Sequence, residues 1–282
     1  MNPKKLLSLA LALTMGLSLT ACGGGKAPSA SPSEAAGGAA PAESAAGSSD
    51  LAYVKDKGVL VVGITEFEPM DYQDKNGSWI GFDADMARAF AGSLGVGCQF
   101  QVIDWDNKVL ELDGKNIDVV WNGMTLTDEV TSAMACSNAY CNNAQVVIVP
   151  SARAADYQSV DSVKDLAFAV EAGSAGKAEV EALGASYTEV QDQATALLEV
   201  SSGTADAAVI DSLMAAAMVG EGTSYADLTY TVGLNSEEYG VGFRKGSDLA
   251  AALNEFFQTA YADGSMQKTA ETYGVQAALI EQ

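Results

Sequence analysis

The chain contains no histidine. That absence removes the usual general base of a Ser-His-Asp or Cys-His arrangement and the nitrogen ligands of a Cys/His zinc centre, so both chemistries are excluded. Positive charge is scarce as well: 15 Lys and Arg stand against 37 Asp and Glu, for a net charge of −22. A surface of that sign repels nucleic acid and anionic lipid, and neither is expected as a partner. Long apolar runs are also missing; the stretch from Leu6 towards Leu19 is too short, and too closely followed by small residues, to cross a bilayer stably. Nothing in the residue pattern calls for a metal or a cofactor. What is present is material for a large core: 282 residues with 48% hydrophobic content, enough for one or two domains.

The start of the chain reads as an export signal over residues 1–21, with Lys4 and Lys5 ahead of the apolar run. Leu19-Thr20-Ala21-Cys22 looks like a bacterial lipobox, which would make Cys22 the acylated first residue of the mature protein; the alternative is an ordinary cleaved signal with an incidental cysteine. Residues 22–49 are almost entirely Gly, Ala, Ser and Pro, a composition that buries no core. As a flexible coil they reach about 30 Å. A tether between a lipid anchor and a folded body fits that composition and length.

Beyond the tether, the pattern alternates. Gly58 to Gly63 reads as a strand, Phe82 to Leu94 as a helix, Cys98 to Ile103 as a strand, Asp106 to Leu112 as a short helix and Ile117 to Trp121 as a third strand ending at Asn122-Gly123. Thr127 then caps a helix with Asp128 and Glu129 in its first turn. Ala144 to Val149 leads onward, and a second series follows: strands at 167–170, 186–190 and 205–210, with helices at 175–183, 194–201 and 212–219. After Leu228 to Val232 the chain crosses back to a strand at 239–244 and helices at 248–261 and 265–273. Such alternation predicts mainly parallel sheets covered by helices.

Three segments carry a resemblance: VGITEFEPMDYQDKNGSWIGFDADMARAFAGSLG near the start, WNGMTLTDE in the middle, and EEYGVGFRKGSDLAAALNEFF with ADGSMQKTAETYG at the end. Their order resembles the family 3 solute-binding proteins of ABC transporters, mostly amino-acid binders. The resemblance implies a two-lobed α/β clamshell of the type II periplasmic-binding-protein kind with two crossing hinge strands. Residues 50–143 with 236–282 would form one lobe and 144–235 the other. It implies an extracytoplasmic, lipid-anchored monomer that captures a small amine-containing solute and delivers it to an ABC permease, with no catalytic residues. A ligand sensor, or a dehydratase-like enzyme on the same scaffold, is the alternative.

The resemblance also assigns residues. Asp211 occupies the position of the family's ammonium-binding aspartate, although a helix N-cap is its plain reading. Gly173 and Ser174, at a strand-to-helix turn, would offer free N–H groups to a carboxylate or simply form a loop. Gly123 and Thr125 would meet the ligand from the other lobe, with Glu66 and Phe67 in the loop after the first strand. Trp121 and Asn122 replace smaller residues; the tryptophan is either core or cleft wall. Where the family carries its carboxylate-clamping arginine, this chain has Val130. Burying a carboxylate without a partner charge costs several kcal/mol, more than the ~0.3 to 2 kcal/mol a helix N-terminus returns. Either the ligand lacks that carboxylate or another cation serves, and Lys108 is the candidate, against the simpler reading of a solvated lysine. Cys98 is expected as a small buried hydrophobe, and Cys136 and Cys141 as a pair that a disulfide could join.

Overall fold

The computed structural model describes residues 49–282; the export signal, Cys22 and tether residues 22–48 lie outside the described residues. The first series comprises α1 (Asp50–Lys57), β1 (Val59–Ile64), β2 (Tyr72–Gln73), β3 (Trp79–Ile80), α2 (Phe82–Leu94) and β4 (Gly97–Val102). A 3-10 turn at Trp105–Asn107 runs into α3 (Lys108–Asp113), followed by β5 (Val119–Thr125), α4 (Asp128–Ala133), β6 (Ala135–Cys136) and β7 (Cys141–Asn143). The second series contains β8 (Gln145–Pro150), α5 (Val160–Val163), β9 (Ala167–Glu171), α6 (Ala175–Leu183), β10 (Ser186–Val190), α7 (Gln193–Ser202), β11 (Ala207–Asp211), α8 (Ser212–Met218) and β12 (Leu228–Gly233). The chain then returns through β13 (Glu237–Phe243) to α9 (Leu249–Ala262) and α10 (Ser265–Tyr273).

Two sheets result. One has the order β4-β1-β5-β13-β6, with β7 also on β13; the other runs β10-β9-β11-β8-β12. The chain passes from one to the other at Ala144 and back between Gly233 and Glu237. The sheets are mixed rather than mainly parallel: β4, β1 and β5 run parallel, as do β10, β9 and β11, but β13 and β8 lie antiparallel to their neighbours. The reversal falls on the two strands that carry the chain between sheets. The architecture is the two-lobed clamshell with two crossings that the resemblance implies, and no helix among the described residues is long and apolar enough to cross a membrane.

Helices cover both faces of each sheet, which is why the central strands are buried throughout. In β5, Val119 and Trp121 point into a cluster with Phe90, Phe257 and Leu253, while Val120 and Met124 join Ile103, Leu112 and Ile117 on the opposite side. Arg244 closes the first lobe: it pairs with Asp50 at 3.0 Å and donates to the carbonyls of Leu112 and Ile117 at 3.1 and 2.9 Å.

β5 departs from its expected end at Asn122-Gly123 and continues to Thr125. Gly123 supplies the reason, since its φ of 55° lets the strand pass through a kink. A Cβ there would lie 2.6 Å from the Phe67 ring, and the displaced N–H is satisfied by Asp83 Oδ2 at 2.7 Å. The turn therefore falls at Leu126, and Thr127 caps α4 as expected, accepting from Val130 N at 3.2 Å.

Cys98, Cys136 and Cys141 are free thiols. Cys136 pairs opposite Gly242 and Cys141 opposite Tyr239 along β13. Three residues of strand separate them by about 10 Å, beyond the Cα reach of a disulfide. Cys98 is only half-buried, because β4 is an edge strand.

A candidate ligand cleft between the two sheets

A cavity of about 430 Å³ lies between the lobes, lined from the first by α3, β5 and α4 and from the second by the carboxyl ends of β9 and β11 and the start of α6. Strand ends and helix starts gather there because parallel βα units turn at that edge.

Lys108 opens α3 and is buried, its ammonium lying 5.0 Å from the centre of the Trp105 ring. It donates to the Trp105 carbonyl at 3.1 Å and, across the cleft, to the Gly173 carbonyl at 3.0 Å. Burial pulls its pKa down, against the opposing influence of Glu171, Glu129 and Asp106. The solvated lysine of the simpler reading is thus not found, and one of its three N–H groups remains uncommitted. Val130 also faces the cavity, beside Val109, Met124 and Ala133, so the place of the absent arginine is an apolar wall.

Gly173 has φ 68°, and a Cβ on it would come within 2.7 Å of the Asp106 backbone. Its bareness is what lets the lobes meet. Ser174 caps α6 by accepting from Lys177 N at 3.1 Å.

Asp211 lines the cavity at the end of β11 but makes no helix-cap bond with its side chain. Its Oδ1 accepts from Tyr239 Oη at 2.7 Å, from Gln145 Nε2 at 3.1 Å and from Asn143 Nδ2; Oδ2 accepts from Gln193 Nε2. Burial raises its pKa to about 7, helped by Glu237 and opposed by the bonds from Tyr239, Gln193 and Gln145. Glu237 shares the donors Asn143 and Gln145, each at 2.7 Å, so the two chain crossings and Asp211 form one polar network.

Phe67, Asn122, Gly123 and Thr125 also reach the cavity wall. Asn122 spends its amide inside the first lobe, on Thr65 and on Asp71 at 2.9 Å. The Thr125 hydroxyl donates to Glu237 at 2.8 Å.

Two expectations are corrected. Trp121 is fully buried, packed 5.6 Å from Phe257 and 6.3 Å from Phe90, and does not line the cavity; alternation along β5 turns it to the core while its neighbour Asn122 faces the cleft. Glu66 is outside the lining too, its carboxylate accepting from Gln73 N at 3.1 Å.

Sequence reasoning missed Glu171, Gln193 and Trp105. Glu171 ends β9 at 2% exposure, and its Oε1 has no hydrogen-bond partner. Burial raises its pKa to about 8, with Asp211 and Asp192 adding to the shift and Thr65 and Lys108 opposing it. Its signal was available: a carboxylate closing an apolar strand is part of the pattern that singled out Asp211.

Residues 60–276 match the profile of the bacterial extracellular solute-binding proteins, family 3. The chain belongs to that family. Among curated proteins it is similar to the L-cystine-binding protein TcyJ of Escherichia coli (strain K12), with 27% identity over 78% of this chain and 84% of that one. Among solved structures it resembles the ABC uptake transporter substrate-binding protein of Streptococcus pneumoniae with bound histidine. That match has a TM-score of 0.73 and 30% identity, covering 82% of this chain and 98% of the other. A further likeness, with TM-score 0.73 and 30% identity over 80% and 99% of the two chains, is to the ancestral amino acid-binding protein AncCDT-1, a precursor of cyclohexadienyl dehydratase.

Proposed function

We propose that this family member captures a small amine-containing solute, an amino acid or a derivative of one, in the inter-lobe cleft and delivers it to an ABC importer. Three features support the reading: relatives and structural neighbours are named for cystine and histidine, the cavity is of small-ligand size, and buried charges of both signs line it. The observation that carries most weight is that one cavity holds the buried Lys108 ammonium from one lobe and the buried carboxyls of Glu171 and Asp211 from the other. Lys108 takes the ligand carboxylate in place of the missing arginine, as a point charge rather than a bidentate fork. The start of α6 at Ser174 and the Gly123 and Thr125 edge of β5 hold the same group, Phe67 covers the ligand, and Asp211 faces its nitrogen. Residues 50–143 with 236–282 close against 144–235 about the two crossings.

In this reading the protein is a monomer held outside the cytoplasm by acylated Cys22, with residues 1–21 removed and 22–49 as tether. Cys22→Ser is expected to move it from the membrane pellet to the soluble fraction. The binding claim is tested by thermal shift against amino acids and amines; a ligand at about 100 times its Kd adds about 2.7 kcal/mol of stability. Asp211→Ala is expected to abolish that shift, and an unchanged calorimetric affinity refutes its part.

The likeness to a dehydratase precursor gives a second reading, an enzyme on this scaffold. Product formation from a bound candidate would favour it; ligand recovered unchanged favours transport.

A further inference from the structure

Three charged side chains line the cavity and are themselves nine-tenths or more buried: Lys108 at 9% exposure, Glu171 at 2% and Asp211 at 4%. Asp106, Asp128, Glu129 and Glu181 sit at the exposed rim, where solvent screens them, and the partly exposed Lys177 is paired with Glu189 at 2.9 Å. Burial raises the pKa of Glu171 to about 8 and of Asp211 to about 7, so near neutral pH the unliganded set is held close to neutral and reaches one excess negative charge only when a bound cation ionises both carboxyls; its members also differ in how far each is satisfied. Asp211 accepts from four side-chain donors. Lys108 donates to two carbonyls. Glu171 has an oxygen with no donor at all, in a place water barely reaches.

A buried acceptor left without a donor is costly, more so when charged. Glu171 lines the same cavity as Asp211, whose charge adds to the burial that disfavours Glu171's ionisation, so a cation at Glu171 supplies the missing donor and offsets that repulsion. A neutral zwitterion supplies one negative group for Lys108 and one positive group for Asp211 and leaves Glu171 without a cation. A solute of net charge +1 brings the second positive group that Glu171 lacks.

We propose that Glu171 receives a protonated nitrogen of the ligand and thereby makes the cleft selective for solutes of net charge +1 over neutral zwitterions. The inference rests on the solute-binding reading above and adds to it the charge class of the solute and the residue that sets it. Two sources share this chemistry. One is a basic amino acid, with its carboxylate on Lys108, one nitrogen at Asp211 and the other at Glu171. The other is a carboxylate-free monoamine whose hydrocarbon rests on Val109, Met124 and Val130, where the family's arginine is absent.

The test is calorimetric titration of the purified protein with lysine, arginine, phenethylamine, leucine, glutamine and glutamate, for the natural sequence and for Glu171→Gln and Glu171→Asp. The cations are expected to bind at least tenfold more tightly than leucine or glutamine. Glu171→Gln should lower cation affinity at least tenfold while leaving the zwitterions within threefold, and Glu171→Asp should keep the preference for cations. Binding of lysine and arginine without phenethylamine identifies the amino-acid source; binding of phenethylamine identifies the monoamine. Equal losses for cations and zwitterions in Glu171→Gln, or a natural protein that prefers leucine or glutamine, overturn the inference and leave the solute-binding reading standing. Failure of every amine to bind overturns both.

Discussion

The ammonium of Lys108 reaches from the first lobe to the carbonyl oxygen of Gly173 on the second, at 3.0 Å. Two local facts make that contact: α3 begins at the cavity edge, and Gly173 has no Cβ to hold Asp106 away. The lysine therefore both bridges the two lobes and places a charge in the cavity. A long side chain normally left in water is kept dry by backbone acceptors and by the Trp105 ring.

Lys108→Met is expected to separate these roles. Charged hydrogen bonds contribute about 1.5–3 kcal/mol, so carboxylate-bearing ligands should lose roughly ten- to hundredfold in affinity. Carboxylate-free amines should lose much less. Titration of both ligand types checks it, and equal losses would show that the lysine acts through closure alone.

Gly173→Ala should weaken binding of every ligand. The added methyl meets Asp106 at 2.7 Å, and φ 68° adds about 1 kcal/mol of backbone strain. Because the obstruction lies between the lobes, small-angle scattering with saturating ligand is expected to show a more open particle than the natural protein. A liganded radius of gyration equal to that of the liganded natural protein contradicts this.

Stability should fall as pH rises from 5 to 8.5. Burial is the largest cause of the raised pKa values of Asp83 and Asp211, both about 7, and of Glu171, about 8; Asp71 also lies well above the usual range, through burial and then Asp83. Each ionises near 4 when unfolded, so over this interval the native state binds more protons than the unfolded state. Their contribution is full below about pH 4 and is lost as pH passes through 7 to 8. Thermal unfolding across the range measures it, with Glu171→Gln flattening the upper end. A melting temperature that climbs with pH would contradict the assignment.

Trp121→Ala should cost about 3–5 kcal/mol of stability, the range for deleting a large buried aromatic. Its ring touches core residues only, so ligand affinity of the folded fraction should stay within a few fold. Urea unfolding and titration together distinguish this from a cleft role, in which affinity would drop first.

How much of this was readable in advance varies with the range of the forces involved. Phe82–Leu94 and Ser265–Tyr273 form helices at the residues their apolar spacing picks out, and Ser186–Val190 forms its strand, because propensity and periodicity act within one element. The end of β5 was misread because a glycine kink looks like a strand end until a partner, Asp83, is seen to accept its N–H. On sequence alone Trp121 is either core or cleft wall; adjacent strand residues face opposite ways, and only packing against Phe257 decides that it, and not Asn122, is inside. The helix at Asp50–Lys57 escaped notice, since its anchor is Arg244 at the far end of the chain.

The sequence by itself determined the alternating α/β order, the acidic surface and the family likeness, all of which follow from residue types and short spacings. Only the tertiary structure decided which charges lose water. Lys108, Glu171 and Asp211 come from three separated segments, and the burial that fixes their donors, their pKa values and their exposure to a ligand arises only when two lobes bring those segments to one cavity.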